Sequence, residues 1–447
     1  MKLTLKQWRV SLLVSATLIA TDVSAQTAVV DGHELRLLWE ACRSRRVDVL
    51  CIGDSNQLHR GAGWDEAVNV IWAGEFGSYA TGLHTPGENA GSGAGVGAGS
   101  ATINTGGAGN ARYAGAPSSA RERLDTESSE LAPLNYLYIA SGESLAVTTP
   151  AGLSLSDEVT FGLSRAIRFH FTYATFSESG GAFTLSIRED AGSNGELART
   201  PRLSTSGGDD IARITLELPA QQRTNPLSLR LAPDIASPVN GPFVGYYLRA
   251  EASDVSTGVS VHTMYAKGGM SAYDMALAFE SASDSMLTLY LQEAVRLQNG
   301  VPMVVVRVCT GLNDRAESMA SIGPDPQTPG NSPTAYADNL HAIIDRLEHA
   351  WTLAGFNTDN LFFIITPSHT VPGDDERPLR LYRAAANDVA KNKPRTVAVH
   401  FGALTDAVEI EKNSWFATQG DYNHLRQDGM RALARRELDA LLEAAKP

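Results

Sequence analysis

This chain of 447 residues shows two different patterns of hydrophobic positions, each in its own part of the sequence. Mainly apolar runs, typical of strands buried on both faces of a parallel sheet, occur at 47–52, 258–264, 302–309, 361–365 and 397–401. Helical stretches accompany them at 35–41, 67–72, 275–297, 335–353, 377–389 and 425–444. This alternation predicts a three-layer α/β/α fold, with a parallel sheet of about five strands between two layers of helices.

The middle of the chain, residues 134–256, follows a different pattern. Short runs of alternating apolar and polar residues are separated by Gly, Asn, Asp and Pro, and they lie at 167–173, 182–187, 212–218 and 226–231. Strands with one apolar and one polar face predict an inserted all-β domain, a sandwich or jelly roll. The α/β domain then comprises 26–133 and 257–447, and its Gly-rich stretch 87–115 is predicted to be a long loop.

Residues 1–25 have the pattern of a secretory signal peptide. Lys2, Lys6 and Arg9 precede an apolar stretch at 10–20, and a Val-Ser-Ala sequence at 23–25 offers a cleavage site. The alternative is a membrane anchor, but the apolar stretch has about half of the roughly 20 residues that a spanning helix needs. We therefore expect a secreted or periplasmic protein without membrane attachment after cleavage.

Charge and cysteine content narrow the functional classes. The formal net charge is −13 and no cluster of Lys and Arg occurs, which argues against nucleic acid as a partner. Cys51 and Cys309 lie in predicted strands, where burial as thiols is favoured over a bridge between neighbouring strands. No spacing of His, Cys, Asp and Glu suggests a metal site, and no cofactor is expected.

A candidate nucleophile follows the first apolar run. That run ends in Gly53-Asp54-Ser55, which places a serine at the carboxyl end of a predicted strand, the edge where open α/β sheets bind ligands. A serine hydroxyl becomes an effective nucleophile when a base removes its proton. The sequence Asp421-x-x-His424 supplies such a base together with an acid to orient it.

Together the two motifs resemble the GDSL/SGNH hydrolase family of esterases and lipases. Two further blocks occur between them in the family's order. Residues 311–314 are similar to the family's G-x-N-D block and include Asn313. Residues 265–272 are similar to its glycine block, in which Gly269 is a better match than Gly268. An ordered set of four blocks is far more specific than any one of them.

The resemblance implies a role for each matching residue. Ser55 would attack an ester carbonyl, His424 would transfer the proton, and Asp421 would orient the imidazole. The backbone amides of Ser55 and Gly269 and the side-chain amide of Asn313 would bind the oxyanion. We also expect Asp421 and His424 to share one loop, although both could simply begin the C-terminal helix as a cap and a surface residue.

Five further residues are weaker candidates for substrate binding. Asn56 and Gln57 follow the nucleophile, and His369 follows a predicted strand. Trp415 and Tyr422 lie near the predicted triad loop, where aromatic rings can stack on a sugar. Solvated turn residues and rings that only form a pocket wall are the alternative interpretations.

The combined prediction is an exported serine esterase that hydrolyses small acyl esters, most plausibly acetyl groups on a carbohydrate such as an acetylated polysaccharide. The choice of a carbohydrate as substrate rests on the predicted export, on the β-domain and on the glycine block, which is similar to that of polysaccharide acetylesterases. A lipase, thioesterase or acyltransferase using the same site is one alternative. A non-catalytic, carbohydrate-binding surface protein is another. Asn56 replaces the leucine of the commonest family signature, so the lipolytic branch is a poor guide to specificity.

Overall fold

The structure is a computed structural model. It describes residues 28–54, 64–83, 102–104, 112–113, 137–139, 144–146, 154–155, 166–177, 182–189, 196–208, 210–220, 227–233, 243–266, 271–314, 332–367, 377–405, 407–418 and 421–446. The predicted leader, 1–25, lies outside these ranges.

The elements fall into three successive groups. The first contains β1 (Val29–Val30), a 3₁₀ helix (Gly32–Leu35), α1 (Arg36–Ser44), β2 (Arg46–Gly53) and α2 (Trp64–Phe76). The second consists of strands only: β3 (Thr102–Asn104), β4 (Arg112–Tyr113), β5 (Leu137–Ile139), β6 (Ser144–Ala146), β7 (Ser154–Leu155), β8 (Ile167–Thr175), β9 (Ala182–Glu189), β10 (Glu196–Arg199), β11 (Leu203–Ser204), β12 (Asp210–Leu218), β13 (Leu227–Pro233) and β14 (Phe243–Ala252).

The third group returns to alternating strands and helices. It contains β15 (Gly258–Ala266), α3 (Ala272–Ser281), α4 (Asp284–Val295), β16 (Val304–Thr310), α5 (Pro333–Leu353), a 3₁₀ helix (Thr358–Asn360), β17 (Leu361–Pro367), α6 (Arg377–Asn392), β18 (Thr396–Val399), α7 (Phe401–Leu404), α8 (Ala407–Lys412), β19 (Phe416–Thr418), β20 (Asp421–Leu425) and α9 (Gln427–Ala444).

A parallel sheet with helices on both faces forms the α/β part. Its order is β15–β2–β16–β17–β18–β1, in which the first five strands are parallel and the short β1 pairs antiparallel with β18. Along β2, Leu50 and Ile52 face a core formed with α3, α4, α5 and α6, whereas Val49 and Cys51 face a core formed with α1, α2 and α9. The predicted α/β class with a parallel sheet is confirmed.

The predicted helical stretch 275–297 forms two helices, since α3 ends at Ser281 and the Ser283 hydroxyl accepts the Met286 amide at the start of α4. Two local differences from the sequence-based expectations have simple causes. The run 397–401 leaves the sheet at Val399, and Phe401 begins a short helix instead. Within the predicted Gly-rich loop, β3 and β4 pair with β6 and β5, which supply the partners that the local composition lacks.

The strands of the second group form two antiparallel sheets. One has the order β12–β8–β14–β5–β4, and the other has the order β10–β9–β13–β7 with β11 beside β9. Side chains from β8, β9, β12 and β14 share one hydrophobic cluster. At its centre the rings of Tyr173 and Phe183, which belong to different sheets, meet edge to face with centroids 4.9 Å apart. The two sheets therefore share a core.

Residues 77–83, here called the bridging segment, connect these strands to the parallel sheet. On one side the amide of Val259 donates to the carbonyl of Gly77 at 2.9 Å. On the other side the amide of Thr81 donates to the carbonyl of Ala250, and the amide of Ala252 donates to the carbonyl of Tyr79, both at 2.8 Å. The segment thus satisfies backbone groups of β15 and β14 at once. It joins the edge strand of the parallel sheet to the part of β14 that lies beyond its pairing with β5.

A group of buried charges, here called the buried junction, lies behind the bridging segment. The guanidinium of Arg249 donates to Asp48 at 2.6 Å and to the Tyr79 hydroxyl at 3.1 Å. It also donates to the carbonyls of Thr81 and Ala294 at 3.0 and 2.6 Å. Burial favours the protonated acid at Asp48, but the charge of Arg249 and hydrogen bonds from His262 and Gln298 hold its pKa below the usual value.

Gly82 allows the bridging segment to approach β15, and its replacement by alanine is expected to destabilise the protein. A Cβ atom at this position would lie 2.3 Å from the carbonyl oxygen of Val261, so backbone atoms would have to move. We expect the free energy of unfolding, measured by denaturant titration, to fall by about 1–3 kcal/mol.

Gly74→Ala is the matched control, because Gly74 lies within α2 and a Cβ there meets no atom within 4 Å. That variant should be about 0.5–1 kcal/mol more stable than the wild type. Equal effects at the two glycines would contradict the close approach at Gly82.

Candidate active site

Three of the predicted motifs follow neighbouring strands of the parallel sheet. In the register of the sheet, Gly53 at the end of β2 pairs with Ala266 of β15 on one side and with Cys309 of β16 on the other. Adjacent strands lie about 4.8 Å apart, so the segments that follow these three residues begin side by side at one edge of the sheet. The three predicted blocks thus begin at one place.

The structure describes these predicted residues to different extents. Asn313, Trp415 and His424 lie within it with their side chains, and Asp421 and Tyr422 are described only as backbone of β20. Outside the described residues lie Ser55, Asn56, Gln57, Gly269 and His369. The distances that would join the triad therefore stay predictions.

The turn after β16 presents Asn313 at the sheet edge. Gly311 adopts φ = 109°, a conformation that other residues rarely tolerate, and the chain then enters a helical turn at 312–314. This turn leaves the Asn313 side chain partly exposed, while Leu312 and Asp314 on either side are buried. The glycine of the G-x-N-D block therefore has a conformational function in this chain.

Two buried carboxyl groups lie beneath this edge. Asp54 follows β2 and is 1% exposed, and Asp314 is fully buried. Burial raises the pKa of Asp314 to about 7, and the nearby Asp54 contributes to the rise. Hydrogen bonds from the Ala272 amide and the Thr310 hydroxyl oppose the rise. The protein interior at the ends of β2 and β16 is therefore polar.

His424 lies on a short strand rather than in the loop that the sequence predicted. β20 pairs antiparallel with β19, and the pairs Phe416–Leu425 and Thr418–Asp421 show a register shift. Between these two pairs β20 advances by four residues while β19 advances by two. This part of β20 therefore contains a bulge, and its side chains do not alternate regularly between the two faces. His424 is partly exposed, whereas the adjacent Leu425 is buried in the core that also contains Cys51 and Cys309.

Trp415 packs against the beginning of α9. Its Cβ and ring lie so close to Gly429 that a side chain there would overlap them, and the guanidinium of Arg436 lies 5.5 Å from its ring centroid. Its carbonyl accepts the Arg426 amide at 2.6 Å. Among the described residues, these contacts give Trp415 a packing function next to the predicted site.

A buried ion pair fixes α9 to the centre of the sheet. Arg307 of β16 donates to the Glu437 carboxylate, which also accepts the Thr366 hydroxyl of β17 at 2.8 Å. The guanidinium lies 5.1 Å from the centroid of the Trp64 ring. Since α9 directly follows β20, this contact fixes the position of the segment that carries His424.

A second group of Ser, His and Asp side chains occurs in the buried junction, where the Ser260 hydroxyl also lies 3.4 Å from Nε2 of His262, but its complete burial leaves no access for a substrate. Nε2 of His262 contacts Asp48 at 2.8 Å and Nδ1 accepts the Leu83 amide at 3.0 Å, so both ring nitrogens are engaged. The Ser260 hydroxyl donates to the Thr81 carbonyl at 2.8 Å. Ser260, His262 and Asp48 are completely buried, and burial together with Arg249 lowers the pKa of His262.

Histidine 400 also has a structural role. It lies just after β18, it is buried, and its Nε2 contacts the side-chain oxygen of Asn387 at 2.7 Å. Burial, with a contribution from Arg383, lowers the pKa of His400 to about 4. The ring is therefore neutral at physiological pH, as expected for a core histidine.

The sequence interpretation missed the roles of two acids, one in the buried junction and one beside the candidate site. Asp48 interrupts an apolar run, and Asp314 is the last residue of the G-x-N-D block. Both positions could therefore have been recognised from the sequence as buried acids that need partners. Within the described ranges, no group of three or more His, Cys, Asp or Glu side chains could hold a metal ion. None of the helices in those ranges combines the length and apolar character that crossing a bilayer requires.

Comparison with known proteins identifies the fold. No family model matches the sequence, and a search of curated proteins finds no significant match. A solved structure of a peptidoglycan O-acetylesterase is 14% identical, with a TM-score of 0.52, and the alignment covers 94% of this chain and 99% of that one. An acetyl xylan esterase from the rumen bacterium Butyrivibrio proteoclasticus is 12% identical over 69% of this chain and 91% of that one, with a TM-score of 0.26.

Only the first of these two TM-scores exceeds 0.5, so conclusions about the fold rest on that similarity. The described residues have the fold of the peptidoglycan O-acetylesterase structure.

Proposed function

We propose that the chain is an exported serine esterase of the GDSL/SGNH type that removes acetyl groups from a carbohydrate. The observation that carries the proposal is the register of the sheet, in which Gly53 pairs with Ala266 and Cys309. The serine, glycine and asparagine blocks each follow one of these strand ends. A triad and an oxyanion site need such convergence, and the four motifs supply the residue types.

In this mechanism the Ser55 hydroxyl attacks the ester carbonyl while His424 takes its proton. The tetrahedral oxyanion accepts hydrogen bonds from the amides of Ser55 and Gly269 and from the Asn313 side chain. Collapse of this intermediate expels the sugar alcohol, which receives the proton from His424, and leaves an acetyl group on Ser55. Water activated by His424 then releases acetate, and Asp421 stabilises the imidazolium in both steps.

The choice of an acetylated carbohydrate has two supports. The fold is shared with a peptidoglycan O-acetylesterase, and the leader at 1–25 predicts export to where such polymers lie. We further propose that the two antiparallel sheets form an inserted β-sandwich that contributes a platform for polymer. Sandwich domains present loops and sheet faces to ligands while the α/β part carries the chemistry.

Covalent labelling tests the reaction type directly. A fluorophosphonate should add one phosphonyl group per chain, on the peptide that contains Ser55, and the labelled protein should no longer hydrolyse p-nitrophenyl acetate. Acetate release should then be compared on O-acetylated peptidoglycan and acetylated xylan. Labelling at a different residue, or the absence of both labelling and turnover, would contradict the proposal.

A further inference from the structure

A buried carboxylate connects the ends of the two strands that flank β2. The backbone amide of Ala272, the first residue of α3, donates to both oxygens of Asp314, at 3.0 and 3.1 Å. Ala272 follows β15 and Asp314 follows β16, while β2 lies between these strands. The contact therefore crosses the end of the strand that leads to Ser55.

Both ends of this contact are held by further hydrogen bonds. On the side of β16, the Thr310 hydroxyl donates to the Asp314 carboxylate at 3.3 Å, and the Tyr382 hydroxyl donates to its carbonyl at 3.1 Å. On the side of β15, Ser271 caps α3, since its hydroxyl accepts the amide of Asp274 and its amide donates to the Asp274 carboxylate. The distance between the start of α3 and the turn at 312–314 is thereby fixed.

We infer that Asp314 is a positioning residue that holds the Asn313 side chain in place for the oxyanion by anchoring its turn to α3. The inference rests on the proposed function, because it gives Asn313 the part of an oxyanion donor. Asn313 immediately precedes Asp314 and is partly exposed, so a shift of the turn that follows loss of the anchor also shifts the Asn313 amide. Asp314 itself is fully buried and acts only through its neighbour.

A donor of this kind affects the rate more than substrate binding. The oxyanion exists only in the transition state and the tetrahedral intermediate, so a displaced donor lowers kcat and leaves KM almost unchanged. Displacement by about 1 Å can reduce a rate about 100-fold. A residue that merely stabilised the fold would lower the melting temperature without this selective loss of kcat.

Two substitutions remove the contact from opposite sides. Asp314→Ala removes the acceptor, whereas Ala272→Pro removes the donor at the first helical position, where the backbone angle of proline fits a helix. The proline Cδ replaces the amide hydrogen that points at Asp314, so this substitution also displaces the carboxylate. Ser271 already has the extended conformation that a following proline requires. We expect each variant to lower kcat for p-nitrophenyl acetate about 10- to 100-fold, with KM within about threefold of the wild type. The double variant should be no slower than either single variant.

Asp284→Ala is the matched control, because it removes a carboxylate from the first turn of the next helix, α4, where the side chain is 56% exposed and pairs with Arg346 rather than with Asp314 or its partners. Its kcat should stay within about threefold of the wild type. Unchanged kcat in folded Asp314→Ala, multiplicative losses in the double variant, or an equal loss in Asp284→Ala would each overturn the inference. If Asp314→Ala does not fold, Ala272→Pro decides alone, and an unchanged kcat overturns the inference.

The same measurements separate this inference from the proposed function. A wild-type protein without turnover that depends on Ser55 would overturn both together. An active wild type whose kcat survives both substitutions would overturn only the role of Asp314. Asp314→Asn adds a rescue, since an amide oxygen can still accept the Ala272 amide, and it should recover most of the rate that alanine loses.

Discussion

Ser55→Ala is expected to reduce kcat/KM for p-nitrophenyl acetate by about 10⁴- to 10⁶-fold, because the atom that forms the acyl-enzyme is removed. His424→Ala should cause a loss of similar size, since the hydroxyl without its base is a poor nucleophile. The double variant should be no slower than the slower single variant, because a nucleophile and its base act as one unit.

A surface histidine provides the control for this series. His349 lies on α5 with a 56% exposed side chain, and its contact with Asp284 is 3.7 Å long. His349→Ala should retain the wild-type kcat/KM. Turnover within tenfold of the wild type in folded Ser55→Ala would exclude Ser55 as the nucleophile, and multiplicative losses in the double variant would exclude a Ser55–His424 pair.

Arg249→Met is expected to lower the free energy of unfolding by about 3–5 kcal/mol, because it leaves Asp48 charged and buried with weaker compensation. Arg249 is 1% exposed, and its hydrogen bonds reach β2, the bridging segment and α4. Denaturant titration should show the loss. A double variant Asp48→Leu/Arg249→Met, which removes both charges, should be more stable than Arg249→Met alone.

Arg168→Ala is the matched control for this prediction. Arg168 also lies on a strand of the antiparallel sheet and pairs with an acid, Glu217, at 2.8 Å, but its side chain is 43% exposed. Exposed ion pairs contribute little to the free energy of unfolding, so loss of this pair should lower it by less than about 1 kcal/mol. Similar losses for Arg249→Met and Arg168→Ala would show that burial of the charges in the junction does not add to the stability of the fold.

The parallel sheet could be predicted from the sequence because its signals are local. Val304 to Thr310 and Leu361 to Pro367 are apolar almost throughout, and a strand buried on both faces requires such a run. The positions of the chemical motifs at strand ends followed from the same runs. Nothing about these elements depended on knowing which distant residues they contact.

Features that depend on distant partners could not be predicted in this way. The strand at 421–425 forms because Phe416–Thr418 lies opposite, whereas its own sequence, Asp-Tyr-Asn-His-Leu, has no alternating pattern. Arg249 meets Asp48 across 201 positions of sequence, and Ala272 meets Asp314 across 42. A buried charge within a sheet looks unfavourable until its partner is known, so the local pattern gave no reason to connect these residues.

The ion pair between Arg307 and Glu437 has a consequence for the order in which the fold assembles. Arg307 belongs to a central strand, whereas its counter-charge lies on α9, 130 positions further along the chain. Until α9 packs on the sheet, closing the core around Arg307 would bury a guanidinium without its partner, which is unfavourable. Folding of the α/β part is therefore expected to be cooperative, with β16 and α9 reaching their native positions together.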